Sequence, residues 1–164
     1  MEFGVFNESE ALLGYIGQFN LTVSANQTLR WNLEVTNRMG LIQLAQVIYR
    51  LGNGSTATPN PRTPSPATVP EIGSTERFID AGDTARIEFQ WNIISKNQTG
   101  GMVFLRLVIN GEEFSSPVGA VSGRGFRFIF ELWTFDLAAK SFQYGWKDES
   151  SRRGAWLQVW FDAP

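Results

Sequence analysis

The chain of 164 residues contains no cysteine and no histidine. Without cysteine, the protein has no disulfide framework, no thiol nucleophile and no thiolate ligand for a metal ion. Without histidine, it also lacks the commonest general base and the commonest metal ligand of proteins. These two absences exclude most of the familiar catalytic and metal-binding sites before any motif is considered.

Charged residues are few, and their balance is slightly acidic. They make up 18% of the chain, with 14 lysines and arginines against 16 aspartates and glutamates. A nucleic-acid-binding surface would be basic, so this balance excludes a nucleic-acid partner. Asn, Gln, Ser and Thr take the place of charges on the polar faces. This substitution suits an acidic habitat, in which carboxylates are protonated, and equally suits a glycan-covered surface.

Long apolar runs are absent as well. No stretch reaches 18 consecutive apolar residues, so the sequence predicts no membrane helix. The opening Met1-Glu2-Phe3 lacks the basic region and apolar core of a signal peptide. We therefore expect the chain to be part of a larger protein that carries the targeting or anchoring segment.

Alternation of apolar and polar residues is the strongest pattern that is present. It runs through residues 18–23, 29–36 and 85–93, each of which is typical of a strand with one buried face. Residues 102–109 are almost wholly apolar, which predicts a central strand. Asn110-Gly111, directly behind them, is the strongest short signal for a hairpin.

Three more strands are predicted from side-chain type. Residues 41–51 fit a helical face as well as a strand, but Val47-Ile48-Tyr49 favours a strand that begins near Gln43. Alternate aromatic residues predict a long strand from Phe126 to about residue 135. A last strand is expected over residues 155–161.

The spacing of these segments predicts an all-β fold. We expect eight or nine strands in an antiparallel β-sandwich, immunoglobulin-like or jelly-roll-like, that forms a single domain over residues 1–164. Residues 52–70 hold five of the seven prolines and are predicted to be one long, exposed Pro-rich loop. A domain boundary in this loop is the alternative, but residues 1–51 carry too few strands to close a core.

Five tripeptides match the acceptor pattern for N-glycosylation, whereas composition alone predicts roughly one or two. The five candidate acceptors are Asn7, Asn20, Asn26, Asn53 and Asn97. Their number indicates a glycoprotein that is exposed outside the cell. The alternative is coincidence combined with turn chemistry, since Asn is also favoured in turns.

Four segments together carry a resemblance to a known family. They are Asn37–Gly40 followed by Gln43-Leu44, Tyr49–Asn53, Phe130–Trp133 and Trp156–Trp160. In this order they resemble the extracytoplasmic β-rich domain of an uncharacterised family of archaeal membrane-anchored proteins, over residues 28–161. The resemblance implies an outward-facing domain that hydrophobic helices tether to the membrane. It supplies no catalytic residue that could be carried over to this chain.

Nucleophilic and metal chemistry have little support. A serine nucleophile would need a lysine as its base, and Lys96, Lys140 and Lys147 all lie in predicted turns. The nearest approach to a calcium loop is Asp80-Ala81-Gly82-Asp83, which lacks the dense, alternating acids of such a loop. Aspartates chosen for local hydrogen bonds in a turn explain it better. We predict no metal site and no cofactor.

Paired carboxylates are the remaining route to catalysis, because two of them can hydrolyse a glycosidic bond. Glu112 and Glu113 are adjacent, so in an extended arm they point to opposite faces. Glu131 and Asp136 would meet only if the fold brought them together. We therefore predict no catalytic residue, with a secreted glycoside hydrolase as the weakest alternative.

The six tryptophans raise a different possibility, namely a sugar-binding surface. Trp31 and Trp91 lie on alternating strands and are predicted to be in the core. Trp156 and Trp160 share one face of the last strand with Gln158, and together they could form a ligand platform. The alternative is that both faces of this strand are covered.

These observations predict a non-catalytic extracellular domain of an archaeal cell-surface or membrane-anchored protein, with a structural or interaction role. A carbohydrate-binding module is the first alternative. The expected partner is a protein or glycan at the cell surface, and the membrane is reached only through a tether outside this chain. Self-association through an edge strand is a further possibility.

Overall fold

The computed structural model describes residues 1–7, 21–60, 62–148 and 151–164, and this part of the chain forms fourteen strands and no helix. The strands are β1 (Glu2–Asn7), β2 (Leu21–Thr22), β3 (Leu29–Thr36), β4 (Gln43–Asn53), β5 (Glu71–Ile79), β6 (Thr84–Thr99), β7 (Met102–Ile109), β8 (Glu112–Ser115), β9 (Ala120–Val121), β10 (Phe126–Asp136), β11 (Ser141–Tyr144), β12 (Trp146–Asp148), β13 (Ser151–Arg153) and β14 (Ala155–Asp162). The all-β prediction is confirmed. The predicted number of strands was too low, mainly because strands of two to four residues are too short to show periodicity. Within the described residues, no helix is long and apolar enough to cross a membrane.

Two six-stranded sheets make up most of the fold. The first sheet has the order β1-β3-β6-β7-β8, with β9 beside β7. The second has the order β2-β14-β10-β4-β5, with β11 beside β10. Strands β12 and β13 form a separate pair. Every pair of these strands is antiparallel except β2 with β14.

The core lies between the two sheets and is largely aromatic. Trp31 of the first sheet packs edge-on against Phe128 of the second, with their ring centroids 5.7 Å apart. Phe89 meets Phe130 in the same manner at 5.0 Å, and Trp91 meets Phe128 at 4.8 Å. These contacts across the interface make the fold a sandwich. They also confirm that Trp31 and Trp91 belong to the core.

Several predicted elements are confirmed at their expected places. Strand β4 begins at Gln43, and β10 begins at Phe126. Asn110 and Gly111 both have positive φ, 49° and 89°, as a tight two-residue hairpin between β7 and β8 requires. Strand β7 lies between β6 and β8 in the first sheet, as its prediction as a central strand required. Its outer face is open, and Phe104 on that face is 36% exposed. Of the predicted strand over residues 18–23, residues 18–20 lie outside the described part of the chain.

The Pro-rich segment between β4 and β5, residues 54–70, is here called the strap. The prediction of an exposed loop over residues 52–70 is wrong at both ends, because Gly52 and Asn53 belong to β4 and the second half of the strap is partly buried. Ala67 and Val69 are buried, and they pack against Ile129 on the outer face of the second sheet. Val118 and Trp156 flank this small apolar cluster. The strap therefore covers β10, the central strand of the second sheet, as well as connecting β4 to β5.

Candidate functional site on the outer face of the second sheet

The central strand β10 is buried on both of its faces. Phe126, Phe128 and Phe130 point into the core, as their alternation predicted. Between them, Arg127 and Glu131 point to the outer face, and each of these two charged residues is at most 4% exposed. Charged side chains are seldom buried so deeply unless they are paired. The two buried charges therefore mark the outer face of the second sheet as the candidate functional site.

The register of the sheet arranges this face in three rows. Gly52 of β4, Arg127 of β10 and Trp160 of β14 form the first row. The other two rows are Arg50, Ile129 and Gln158, and then Ile48, Glu131 and Trp156. Antiparallel pairing therefore places each of the two charged residues that β10 contributes to this face directly beside a tryptophan of β14.

Glu131 lies at one end of this face and is completely buried. Its Oε2 accepts hydrogen bonds from Arg50 Nε at 3.0 Å and Trp133 Nε1 at 3.2 Å. Its Oε1 accepts one from the backbone N–H of Ala67 at 2.6 Å. Arg50 also donates to the carbonyl oxygen of Val69 at 2.7 Å. This ion pair thus neutralises the carboxylate and fixes the second half of the strap on the sheet.

Arg127 lies at the other end, and its surroundings are different. Its Nη1 donates to Gln158 Oε1 at 2.8 Å, and its Nη2 donates to the carbonyl oxygen of Thr56. The guanidinium lies over the ring of Trp160, 4.8 Å from the ring centroid, as in a cation–π contact. Its buried Nε has no hydrogen-bond partner among the residues that the structure describes. Burial lowers the pKa of Arg127, because the loss of solvent disfavours its charged form.

The three residues predicted as a ligand platform do share the outer face. Trp156, Gln158 and Trp160 are all half-buried on β14. Trp156 and Trp160 are four residues apart, which in a strand corresponds to about 13 Å. Trp156 packs beside the strap cluster, whereas Trp160 packs on Arg127. Sequence reasoning missed Arg127 as a neighbour of this platform, although a charged residue within an aromatic strand was a visible signal.

Two of the other carboxylates considered as catalytic groups, Glu113 and Asp136, are held by arginines. Glu113 pairs with Arg106 at 2.5 Å, and Asp136 pairs with Arg152 at 2.9 Å. Hydrogen bonds from the backbone N–H groups of Ala139 and Ala138, together with Arg152, lower the pKa of the Asp136 carboxyl. Glu131 and Asp136 do not meet, because an odd separation on β10 places them on opposite faces.

The turn considered as a calcium loop is built from local hydrogen bonds. The N–H of Asp83 donates to the carbonyl oxygen of Asp80 at 3.1 Å, and Gly82 has a positive φ of 87°. The N–H of Gly82 donates to the carbonyl oxygen of Asn37. Across the described residues, no three acidic side chains come together in a way that could hold a metal ion.

The candidate glycosylation sites differ in their accessibility. Asn26 and Asn97 are exposed, Asn7 is half-buried at the end of β1, and Asn20 lies outside the described residues. Asn53 is half-buried, and its side chain makes hydrogen bonds within the fold. Its Nδ2, the atom that would carry the glycan, donates to the carbonyl oxygen of Gly119 at 2.7 Å. Its Oδ1 accepts from the backbone N–H groups at the start of the strap, so its side chain is a structural cap.

Comparison of the chain with family models, with curated proteins and with solved structures found no match. The resemblance to an archaeal extracytoplasmic domain therefore stays a prediction. Inferences about function depend on the geometry of the outer face and on the exposed asparagines.

Proposed function

We propose that the chain is a non-catalytic domain of an archaeal cell-surface or membrane-anchored protein, with a structural or interaction role outside the cell. The observation that supports the non-catalytic part is the set of hydrogen bonds that the buried carboxylate of Glu131 accepts within the fold. Three donors, one of them the charged guanidinium of Arg50, hold this completely buried carboxylate, which leaves it no access to a substrate.

The non-catalytic part is tested with polysaccharides and a reducing-end assay. The wild type should release no reducing ends from a panel of cell-wall polysaccharides. Release of reducing ends that co-purifies with the wild type and disappears in a carboxyl variant that remains folded, such as Asp136→Asn, would overturn the proposal.

The extracellular part is supported by the exposure of Asn26 and Asn97, which lie in two of the five sequons. Protease added to intact native cells should degrade the domain, while a cytosolic marker stays intact. Peptide mass spectrometry of the protein purified from those cells should find glycans on Asn26 and Asn97 and an unmodified Asn53. Complete protection of the domain from the protease would refute the proposed location.

A carbohydrate-binding role is the second candidate, and the half-buried Trp156 and Trp160 on one face of β14 favour it. Aromatic rings with one accessible side stack against the apolar faces of sugars. Soluble oligosaccharides should then change the tryptophan fluorescence of the wild type. The response should survive in Trp160→Phe, which keeps an aromatic face, and be lost in a folded Trp160→Ala variant.

A further inference from the structure

Arg127 carries a buried positive charge that no carboxylate neutralises within the described part of the chain. It is only 4% exposed, and the two acceptors that it reaches, Gln158 Oε1 and the Thr56 carbonyl, are both neutral. Arg50, in the next row of the same face, has the fully buried carboxylate of Glu131 at 3.0 Å. A buried charge usually has such a partner, so the site around Arg127 lacks an anion.

The neighbouring carboxylates do not supply this anion. Glu131 is four residues along β10, about 13 Å away in an extended strand, and is already paired with Arg50. Asp162 lies on the same face as Trp160, two residues further along β14. Its Oδ1 accepts a hydrogen bond from the backbone N–H of Gly125 at 2.7 Å. Neither carboxylate forms an ion pair with Arg127.

We propose that Arg127, Gln158 and Trp160 form a binding site for an acidic sugar, one that carries a carboxylate or a sulfate group. This inference rests on the carbohydrate-binding role above and specifies the charge of its ligand. Gln158 is half-buried at the surface, and its amide oxygen occupies the position of an acceptor for Arg127 Nη1. A ligand anion that replaces this neutral oxygen makes a charge-assisted hydrogen bond with the guanidinium.

The tryptophans favour a sugar over an acidic peptide as the bearer of that anion. Trp160 lies directly beside Arg127 in the sheet register, so a ring that stacks on its accessible part has its substituents near the guanidinium. Trp156 lies about 13 Å from Trp160 along β14, and this distance is greater than the length of one sugar ring. Successive rings of an oligosaccharide would extend along this surface.

Gln158→Glu is the decisive variant, because it removes nothing that is buried. The new carboxylate replaces the amide oxygen at 2.8 Å from Arg127 Nη1 and supplies the missing anion from within the chain. We expect this variant to have a higher Tm than the wild type and to bind an acidic oligosaccharide at least ten-fold more weakly. Gln98→Glu is the matched control, because it adds the same charge at an exposed position of β6 in the other sheet, and it should bind the acidic oligosaccharide as tightly as the wild type does.

The binding experiment uses isothermal titration at low ionic strength with a trimer of galacturonic acid, the corresponding neutral trimer of galactose, and a sulfated galactose trimer. The galacturonate trimer should bind the wild type at least ten-fold more tightly than the neutral one, and added salt should weaken it. Tighter binding of the sulfated trimer would also support the site and would identify sulfate as the anion.

Four results would overturn this inference. Equal affinities for the acidic and neutral trimers would leave the carbohydrate-binding role in place and remove the role of charge. Failure of all three trimers to bind at millimolar concentration would refute both. If Gln158→Glu bound the galacturonate trimer as tightly as the wild type does, the acidic group of the ligand would not contact Arg127. Competition by a poly-glutamate peptide as strong as that by the galacturonate trimer would favour a protein ligand.

Discussion

The carboxylate of Glu131 and the backbone N–H of Ala67 are joined by a 2.6 Å hydrogen bond between residues 64 positions apart in the chain. This bond connects the central strand of the second sheet to the strap. Because Glu131 also pairs with Arg50, and Arg50 bonds the Val69 carbonyl oxygen, the strap is held from two sides. A proline-rich connection thereby becomes part of the packed structure.

Loss of the Glu131 charge should destabilise the fold strongly. Glu131→Gln keeps the shape of the side chain but leaves Arg50, whose side chain is 11% exposed, as a buried cation without a counter-charge. Removing one partner of a buried pair costs about 3–5 kcal/mol in the free energy of unfolding. Urea titration followed by circular dichroism measures it.

Glu113→Gln is the matched control, because its ion pair with Arg106 is more than half exposed on both sides. Exposed pairs contribute about 0–1 kcal/mol, so this variant should unfold close to the wild-type midpoint. Equal losses in the two variants would contradict the structural role assigned to the buried pair.

Removal of the strap should also be costly. Replacing residues 55–68 by a short Gly-Ser linker uncovers Ile129 and leaves Glu131 without one of its donors. We expect a loss of more than about 2 kcal/mol in the free energy of unfolding, which is typical of damage to packed structure. Thr63→Ala, at an exposed strap position, is the control and should stay within about 0.5 kcal/mol of the wild type. If the deletion variant and Thr63→Ala had the same free energy of unfolding, the strap would not be packed on the sheet.

Part of this architecture could be predicted from sequence, because it depends on local periodicity. Strand β4, the Asn110-Gly111 hairpin and the inward face of β10 all follow from side chains that alternate within a few residues. The same reasoning placed Trp156 and Trp160 on one face. Each of these conclusions needs only neighbours along the chain.

The remaining features depend on partners that are far apart in sequence. Glu131 and Arg50 are 81 residues apart, and no local pattern connects them. Proline content predicts an irregular backbone for the strap, but it gives no information about the surface that the strap covers. Arg127 shows the same limit, because its place beside Trp160 is fixed by the pairing of β10 with β14.

Trp91 should be among the most costly core residues to truncate. It is fully buried and contacts Trp31, Phe128 and Phe161, with ring centroids between 4.8 and 5.2 Å apart. Trp91→Ala should lower the free energy of unfolding by about 3–5 kcal/mol. Its Nε1 finds no hydrogen-bond partner in residues 1–7, 21–60, 62–148 and 151–164, so Trp91→Phe removes a buried unsatisfied donor and should cost less than half as much. Urea titration decides between these outcomes, and a loss under about 1 kcal/mol in the alanine variant would contradict the core position of Trp91.

Tyr144 should make the fold sensitive to alkali. Within the described part of the chain, its buried hydroxyl has no hydrogen-bond partner. Burial, assisted by the negative charge of Glu131, raises the pKa of Tyr144 well above 10. The folded state therefore holds this proton more tightly than the unfolded state. The contribution to stability is fully present below pH 10 and is lost as the pH rises from there through the folded pKa.

Tyr144→Phe tests this directly, since it removes both the unsatisfied hydroxyl and its titration. At pH 7 the variant should be as stable as the wild type or slightly more stable, and above pH 10 its stability should fall less steeply. Tyr49→Phe is the contrasting control, because the Tyr49 hydroxyl is hydrogen-bonded to Thr75, and its loss should lower stability already at pH 7. Thermal unfolding between pH 7 and pH 11 measures both variants. A Tyr144→Phe variant that loses stability at pH 7 as Tyr49→Phe does would mean that the Tyr144 hydroxyl has a bonding partner in solution.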